Sequence, residues 1–341
     1  MLGEWVENFI EENPRESDGT PILLDIRKAL EDDNHQLFPP RLLGYATREK
    51  LWGQFAVDNI RKAPSQDWKP FRDDLQLPTK YKDMIEALVA SHEPTTERDE
   101  QLQVKDVVPD KGRGLVLLLH GPPGVGKTLT AETIATATGK PLFIVSVAEI
   151  GLNASTAERN LEKLFDLASK WEAILLVDEA DVFLETRGPS SSSGRNALVS
   201  VLLRVLEYYQ GIIILTTNRI KSIDVAVISR IHLAIRYSDL GEEQMCKIFS
   251  FFLEQLDPDW IEDRKEIDHF ISNYGHQYGL NGRQIRNVVS AALASARYSA
   301  VNKGSGKLTF KHLKDVCEMT RQFEKQLNEN TMAQRLNNEA V

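Results

Sequence analysis

The sequence predicts an α/β domain, in which helices cover both faces of a parallel sheet, followed by a small all-α domain and preceded by a mainly helical segment. Between residues 114 and 238, short apolar runs alternate with stretches of helical periodicity, as expected for such an αβα sandwich. From residue 241 onward, apolar residues recur only at spacings of three and four. A chain of 341 residues also exceeds what one hydrophobic core usually supports, so at least two domains are expected.

The N-terminal segment, residues 1–92, is predicted to be mainly helical. An amphipathic helix is expected from Thr47, and a second covers residues 81–92. The helical spacing of the first is carried by Leu51, Phe55, Ala56 and Ile60. The polar stretch at 93–113 is predicted to be a linker.

Four apolar strands are predicted in the α/β domain, residues 114–238. They lie at 115–120, 141–147, 173–178 and 211–218. The intervening helices are expected from Lys127, at 156–170 and at 197–207. In open parallel sheets ligands bind at the carboxyl ends of the strands, so polar residues that follow these runs are the candidate site.

The all-α domain is predicted to span residues 239–327. One long helix is expected to bury its apolar face, namely Ile285, Val288, Val289, Ala292, Leu293 and Ala296. A last helix over 308–327 is expected to turn Leu313, Val316 and Cys317 inward. Residues 328–341 are predicted to be a disordered tail.

Composition indicates a soluble intracellular protein of the cytoplasm or nucleus. Cys246 and Cys317 have no CxxC spacing, which argues against a disulfide framework or a zinc site. No secretory signal or presequence is predicted, and the apolar runs are far shorter than the roughly 20 residues that cross a membrane. The net charge is -9, and residues 1–40 hold ten acidic against three basic residues. A nearly neutral remainder disfavours nucleic acid as a partner.

The motif GPPGVGKT at 121–128, here called the phosphate loop, directly follows the first apolar strand. Glycines let successive backbone N–H groups converge on a polyphosphate, and the following helix N-terminus favours anions. The Lys127 side chain is expected to reach the β- and γ-phosphates, and the Thr128 hydroxyl to ligate Mg²⁺. We therefore predict ATP and Mg²⁺ as cofactors. The predicted nucleotide-binding residues are Gly121, Pro122, Pro123, Gly124, Val125, Gly126, Lys127, Thr128 and Asp178.

Polar residues end two further apolar strands. Asp178 and Glu179 follow AILLV, and we expect Asp178 to hold the Mg²⁺ shell while Glu179 deprotonates the attacking water. Neighbours on an extended strand point to opposite sides, which would separate these two roles. Asn218 ends GIIILTTN and fits either a contact to the γ-phosphate or water, or an ordinary strand-end turn.

Two arginines complete the candidate catalytic set. Arg230 lies shortly after the strand GIIILTTN, and Arg283 is at the start of the long helix of the all-α domain. A planar, permanently charged guanidinium suits the charge spread over phosphate oxygens, although most arginines on any protein are surface residues.

These residues resemble the motifs of the AAA+ ATPases in their usual order. GPPGVGKT corresponds to Walker A, ILLVDEAD to Walker B, IIILTTN to sensor 1, SRIH to the arginine-finger region and NGRQIRN to sensor 2. The resemblance covers residues 114–325 and implies a P-loop NTPase core with a helical lid. The segment FPPRLLGYATREKLWGQFAVDNI is similar to the region before the core in a poorly characterised fungal subgroup, whose members often carry a longer N-terminal region.

The resemblance implies a homo-oligomeric ring, usually a hexamer, with ATP at subunit interfaces. Arg230 would then act on a neighbour's nucleotide and Arg283 on its own. Two departures stand out. The stretch 147–151 lacks the aromatic residue with which many relatives grip polypeptide, and Arg230 lacks a second finger arginine, which leaves Arg236 as the fallback.

Three functions are compatible with these features. The leading hypothesis is a Mg-dependent ATPase that remodels protein assemblies, with an unidentified protein client. The second is a nucleotide-gated assembly module whose turnover is incidental. The third is a DNA-handling AAA+ protein, which salt-dependent DNA binding would reveal.

Overall fold

The computed structural model describes residues 40–47, 49–61, 66–92, 114–146, 154–184, 193–219, 223–301 and 305–339. The chain divides into two compact units between Lys62 and Ala63. The predicted linker at 93–113 and the stretch 147–151 fall outside the described residues.

The described part of the first unit is an antiparallel hairpin, so the helix predicted from Thr47 is wrong. Strand β1 spans Arg41–Ala46 and β2 spans Leu51–Ala56. Their register runs from Arg41 opposite Ala56 to Ala46 opposite Leu51. Apolar residues occupy both faces, because the Leu42 and Phe55 pair lies on one and Tyr45 contacts Trp52 on the other. The alternation that marks a half-buried strand is therefore missing from the sequence.

The second unit contains a five-stranded parallel sheet, which confirms the predicted P-loop α/β fold. Its strand order is β4-β5-β6-β3-β7. The strands are β3 (Leu115–His120), β4 (Leu142–Val145), β5 (Ile174–Val177), β6 (Ile212–Thr217) and β7 (Leu233–Arg236). Consecutive residues of β3, such as Val116 and Leu117, point to opposite faces of the sheet and are both fully buried, so both faces are covered. Strand β7 is absent from the sequence prediction, since four residues are too few to show a period.

Four helices of the described residues accompany the sheet. They are α1 (Thr79–His92), α2 (Lys127–Thr138), α3 (Ala154–Lys170) and α4 (Ser193–Tyr208). Single helical turns at Asp181–Leu184 and Val225–Ile228 follow β5 and β6. The helix predicted over 81–92 is confirmed by α1.

Helix α1 and the residues before it pack on the sheet. Phe71, Leu75, Ile85 and Val89 belong to the same buried cluster as Leu117 of β3. The Gln66 amide also donates to the carbonyl oxygen of Thr138 at 2.9 Å. The predicted boundary between the N-terminal segment and the α/β domain, at residue 92, would thus separate α1 from the core in which its apolar residues are buried.

The helical lid consists of α5 (Glu242–Glu254), α6 (Arg264–Tyr274), α7 (Gly282–Val301) and α8 (Phe310–Glu339). A second buried cluster joins these helices through Phe249, Ile271, Ile285 and Leu313. Of the residues predicted to face inward, Leu293 and Val316 are partly buried and the others are buried. The lid is therefore all-α, as predicted.

The prediction of a disordered tail from residue 328 is wrong, because α8 continues to Glu339. Its 30 residues contain neither glycine nor proline, so no helix-breaking residue ends the helix earlier. No helix among the described residues combines the length and the apolar character needed to span a bilayer.

Candidate functional site

A cavity of about 1090 Å³ lies between the phosphate loop and the helical lid. Its floor is the loop itself, and the carboxyl ends of β5 and β6 supply Asp178, Glu179, Thr216 and Asn218. The segment 70–76 before α1, α5 and the first turn of α7 also contribute to its lining. The cavity therefore occupies the expected edge of the sheet, and the helical lid contributes to its lining.

Two glycines of the phosphate loop could not carry a side chain. Gly121 has φ +145°, and a Cβ there would lie 2.2 Å from the Tyr237 carbonyl oxygen. Gly124 has φ +75°, and its Cβ would lie 2.5 Å from Asn281 Oδ1 in the lid. These approaches explain why glycine is needed at both positions, because Tyr237, the residue after β7, lies against Gly121 and Asn281 of the lid lies against Gly124.

Lys127 begins α2 and is buried, with only 8% of its surface exposed. Its ammonium group donates to the carbonyl oxygens of Gly121 at 2.9 Å and Pro122 at 2.6 Å, and to Asn218 Oδ1 at 2.8 Å. Burial lowers the pKa of Lys127, and Asp178 partly opposes that shift. These three oxygen acceptors compensate the buried charge and hold the ammonium group between the phosphate loop and Asn218.

Thr128 and Asp178 meet beside this lysine. The Thr128 hydroxyl lies 3.2 Å from both carboxylate oxygens of Asp178. Among the described residues, no group of three or more His, Cys, Asp or Glu side chains is arranged to hold a metal ion. Mg²⁺ in nucleotide sites takes one or two protein ligands and completes its shell with phosphate and water, so this hydroxyl and carboxylate fit it.

Glu179 follows Asp178 in a turn and not on the strand, because β5 ends at Val177. The expectation that strand alternation separates the two carboxylates is therefore wrong. Glu179 instead adopts a left-handed backbone conformation, with φ +51°. Its side chain is exposed and lines the cavity. The reversal of the chain at this residue gives the two carboxylates different environments.

Asn218 follows β6 and contacts the phosphate loop directly, because its Oδ1 atom accepts a hydrogen bond from the Lys127 ammonium group. The sequence left open whether this residue is a turn residue or part of the site. Its side chain lies within the cavity wall, beside the lysine amine.

The lid reaches the phosphate loop through the start of α7. The backbone N–H of Gly282 donates to the carbonyl oxygen of Gly124 at 2.9 Å. Asn281 and Gln284 exchange hydrogen bonds between side chain and backbone, at 2.8 and 3.0 Å, as in a capping box. This cap fixes the first turn of α7, from which Arg283 and Arg286 line the cavity.

Arg230 is held away from this cavity. Its guanidinium group donates to the Ala226 carbonyl oxygen at 2.7 Å and to Glu207 at 3.2 Å. Most of the predicted nucleotide-binding and catalytic residues line the cavity. The exceptions are Gly121 and Pro122, which belong to the phosphate loop, and Arg230, which does not. Arg236, the fallback, lies on β7 opposite His120.

Three parts of the site are not predicted from the sequence. Thr216 sits two residues before Asn218 and contacts both acidic residues. The segment 70–76 forms a cavity wall and accepts a hydrogen bond from Gln244 of α5 to the Gln76 carbonyl oxygen. Arg286 lies one helical turn after Arg283, a spacing that could have identified it.

Two family models match adjoining parts of the chain. Residues 117–238 match the family described as ATPase family associated with various cellular activities (AAA). Residues 240–334 match the fungal AAA+ ATPase lid domain. The two matches together cover more than half of the chain, and they meet between β7 and α5.

Curated relatives agree with these matches. A proteasome-activating nucleotidase of Saccharolobus islandicus is 29% identical over 220 residues, which is 61% of this chain and 52% of the relative. The ATPase family AAA domain-containing protein 3-A of Xenopus laevis is 29% identical over 248 residues, which is 67% of this chain and 41% of the relative. This chain thus spans about half or less of the length of these relatives. From its sheet order, its phosphate loop and both family matches, the chain belongs to the AAA ATPase family.

Proposed function

We propose that this protein binds ATP with Mg²⁺ in the cavity and hydrolyses the terminal phosphate bond. One observation carries the proposal: Lys127, Thr128, Asp178, Glu179 and Asn218 converge on a single cavity at the carboxyl edge of the sheet. A phosphate loop alone would support nucleotide binding only. The carboxylate of Glu179, free to face the same cavity, supplies a base for hydrolysis.

Each group has a distinct role in this reaction. Lys127 and the loop N–H groups hold the β- and γ-phosphates, and Thr128 with Asp178 holds the metal. When bound, Mg²⁺ would supply positive charge that offsets the negative charge developing on the phosphate oxygens. Glu179 orients the attacking water and accepts its proton, while Asn218 keeps Lys127 directed at the γ-phosphate.

The two arginines are assigned to different subunits of a ring. Arg283 lies in the cavity wall and would contact the phosphates of its own subunit. Arg230 is paired with Glu207 outside that wall, which supports action on the nucleotide of a neighbouring copy. A ring built this way requires ATP at each subunit interface and makes turnover depend on assembly.

We further propose that hydrolysis remodels protein assemblies. One relative is named for activating the proteasome, a protein assembly. The formal net charge of -9 also argues against a surface built to neutralise DNA phosphates. Rotation of the helical lid on the phosphate loop, across the Gly282 to Gly124 hydrogen bond, would transmit the change between ATP and ADP.

The class of client can be tested through the rate of ATP turnover. We expect a denatured polypeptide such as reduced casein to raise phosphate release, because a remodelling enzyme is coupled to its protein substrate. Single- and double-stranded DNA of the same concentration and ionic strength serve as controls and should leave the rate unchanged. Stimulation by DNA that weakens with salt, with no response to casein, would contradict the assignment.

A further inference from the structure

A single threonine ties together the acidic turn, defined here as Asp178 to Ala180. Thr216, the fifth residue of β6, is only 1% exposed. Its hydroxyl oxygen accepts a hydrogen bond from the Glu179 N–H at 3.0 Å and donates one to Asp178 Oδ1. Its carbonyl oxygen accepts the Ala180 N–H at 2.8 Å. One residue therefore contacts all three positions of the turn.

The turn needs such support because Glu179 is strained. A residue with a Cβ at φ +51° is disfavoured relative to ordinary backbone, and it persists only where its surroundings determine it. The Thr216 hydroxyl pairs the N–H of this strained residue. The direction in which the Glu179 side chain leaves the backbone thus depends on that hydrogen bond.

The same hydroxyl also orients the metal-side carboxylate. It occupies Oδ1 of Asp178, while the Thr128 hydroxyl lies 3.2 Å from each oxygen of the same group. A carboxylate held by one neighbour alone could rotate about its Cβ–Cγ bond. Because the hydroxyl groups of Thr216 and Thr128 both contact it, the Asp178 carboxylate is held in one orientation toward the cavity.

We propose that the Thr216 hydroxyl is a positioning group for ATP hydrolysis, which sets both the plane of the Asp178 carboxylate and the aim of Glu179. The inference rests on the proposed function, because it assigns Thr216 a part in the same reaction. Thr216 does not need to touch nucleotide or water. It acts through Asp178, which would hold the metal, and through Glu179, which would orient the water.

The test compares three threonine variants by kcat, ATP affinity and Mg²⁺ dependence. Thr216→Val keeps the shape of the side chain in a buried strand but removes the hydroxyl. We expect kcat to fall by about 100-fold, the usual scale for a catalytic group displaced by about 1 Å, with ATP binding changed by much less. The Mg²⁺ concentration for half-maximal turnover should rise. Thr216→Ser restores the hydroxyl and should restore most of the turnover.

Thr138→Val is the matched control. Thr138 is buried at the far end of α2, and its hydroxyl bonds only to carbonyl oxygens of its own helix, including Ile134 at 2.9 Å. Its kcat and Mg²⁺ dependence should match those of the wild type, with thermal unfolding recorded for every variant.

The possible outcomes separate the two proposals. A wild type without ATP turnover would overturn the proposed function and this role of Thr216 with it. If the wild type turns over, unchanged kcat in Thr216→Val, equal losses in Thr216→Ser and Thr216→Val, or equal losses in Thr138→Val would each overturn the positioning role alone.

Discussion

Glu179→Gln is expected to abolish ATP hydrolysis while leaving the nucleotide bound. The amide has the same shape as the carboxylate but cannot accept a proton from water, and a positioned general base contributes about 10²- to 10⁴-fold to a rate. Lys127, Thr128 and Asp178 are untouched by this change, so the contacts that hold ATP remain. Phosphate release measures the loss, and calorimetric titration with ATP measures the retained affinity.

Glu132→Gln provides a control within the same cavity. Glu132 also lines the cavity, and burial, together with Asp178, raises its pKa. Its neutralisation should leave phosphate release close to the wild-type rate, because Glu132 lies on α2 and not in the acidic turn. Phosphate release from Glu179→Gln at a rate similar to that of the wild type would remove Glu179 from the mechanism.

Arg230→Ala is expected to lower turnover by about 10³-fold or more, the range known for an arginine finger that acts between subunits. In its own subunit this guanidinium is engaged by Glu207 and by the Ala226 carbonyl oxygen, outside the cavity wall. A loss of turnover with intact ATP binding therefore points to the cavity of another copy. Arg236→Ala should retain turnover, and the reverse pattern would transfer the finger role to Arg236.

Mixing two inactive variants tests the shared site directly. An Arg230→Ala subunit still has Glu179, and a Glu179→Gln subunit still has Arg230. Where a Glu179→Gln subunit lies beside an Arg230→Ala subunit, its Arg230 completes the site that still contains Glu179. The mixture should therefore regain part of the wild-type phosphate release. Mixtures that stay inactive at concentrations where assembly is seen by mass would contradict a site made from two subunits.

The sequence predicts the parts of the fold that are buried on both faces or periodic over many residues. Strands β3 and β6 begin with continuous apolar runs, and α7 repeats its apolar residues from Ile285 to Ala296, over about three turns, so each is identified from local pattern. The hairpin of β1 and β2 is missed because apolar residues on both of its faces imitate helical spacing. The four residues of β7 become a strand only through pairing with β3.

The candidate site divides in the same way. The phosphate loop, Asp178 and Asn218 follow apolar strands and are found from their position at strand ends. Thr216 is missed because its role depends on β5 and β6 being neighbours in register, with Val177 opposite Leu215. No local pattern contains the order of strands in a sheet. The wall at 70–76 is missed for the same reason, since only tertiary packing brings it to the lid.

The proposed reaction requires that ATP occupies the cavity above the phosphate loop and is hydrolysed there. The most direct measurement gives wild type and Lys127→Ala the same Mg-ATP across a wide range of protein concentrations, and follows bound nucleotide and released phosphate together. We predict that the wild type binds and hydrolyses ATP, while Lys127→Ala binds it about 10- to 100-fold more weakly, because a charged hydrogen-bond donor is lost. A wild type that neither retains nor consumes ATP at any concentration would contradict ATP hydrolysis in this cavity.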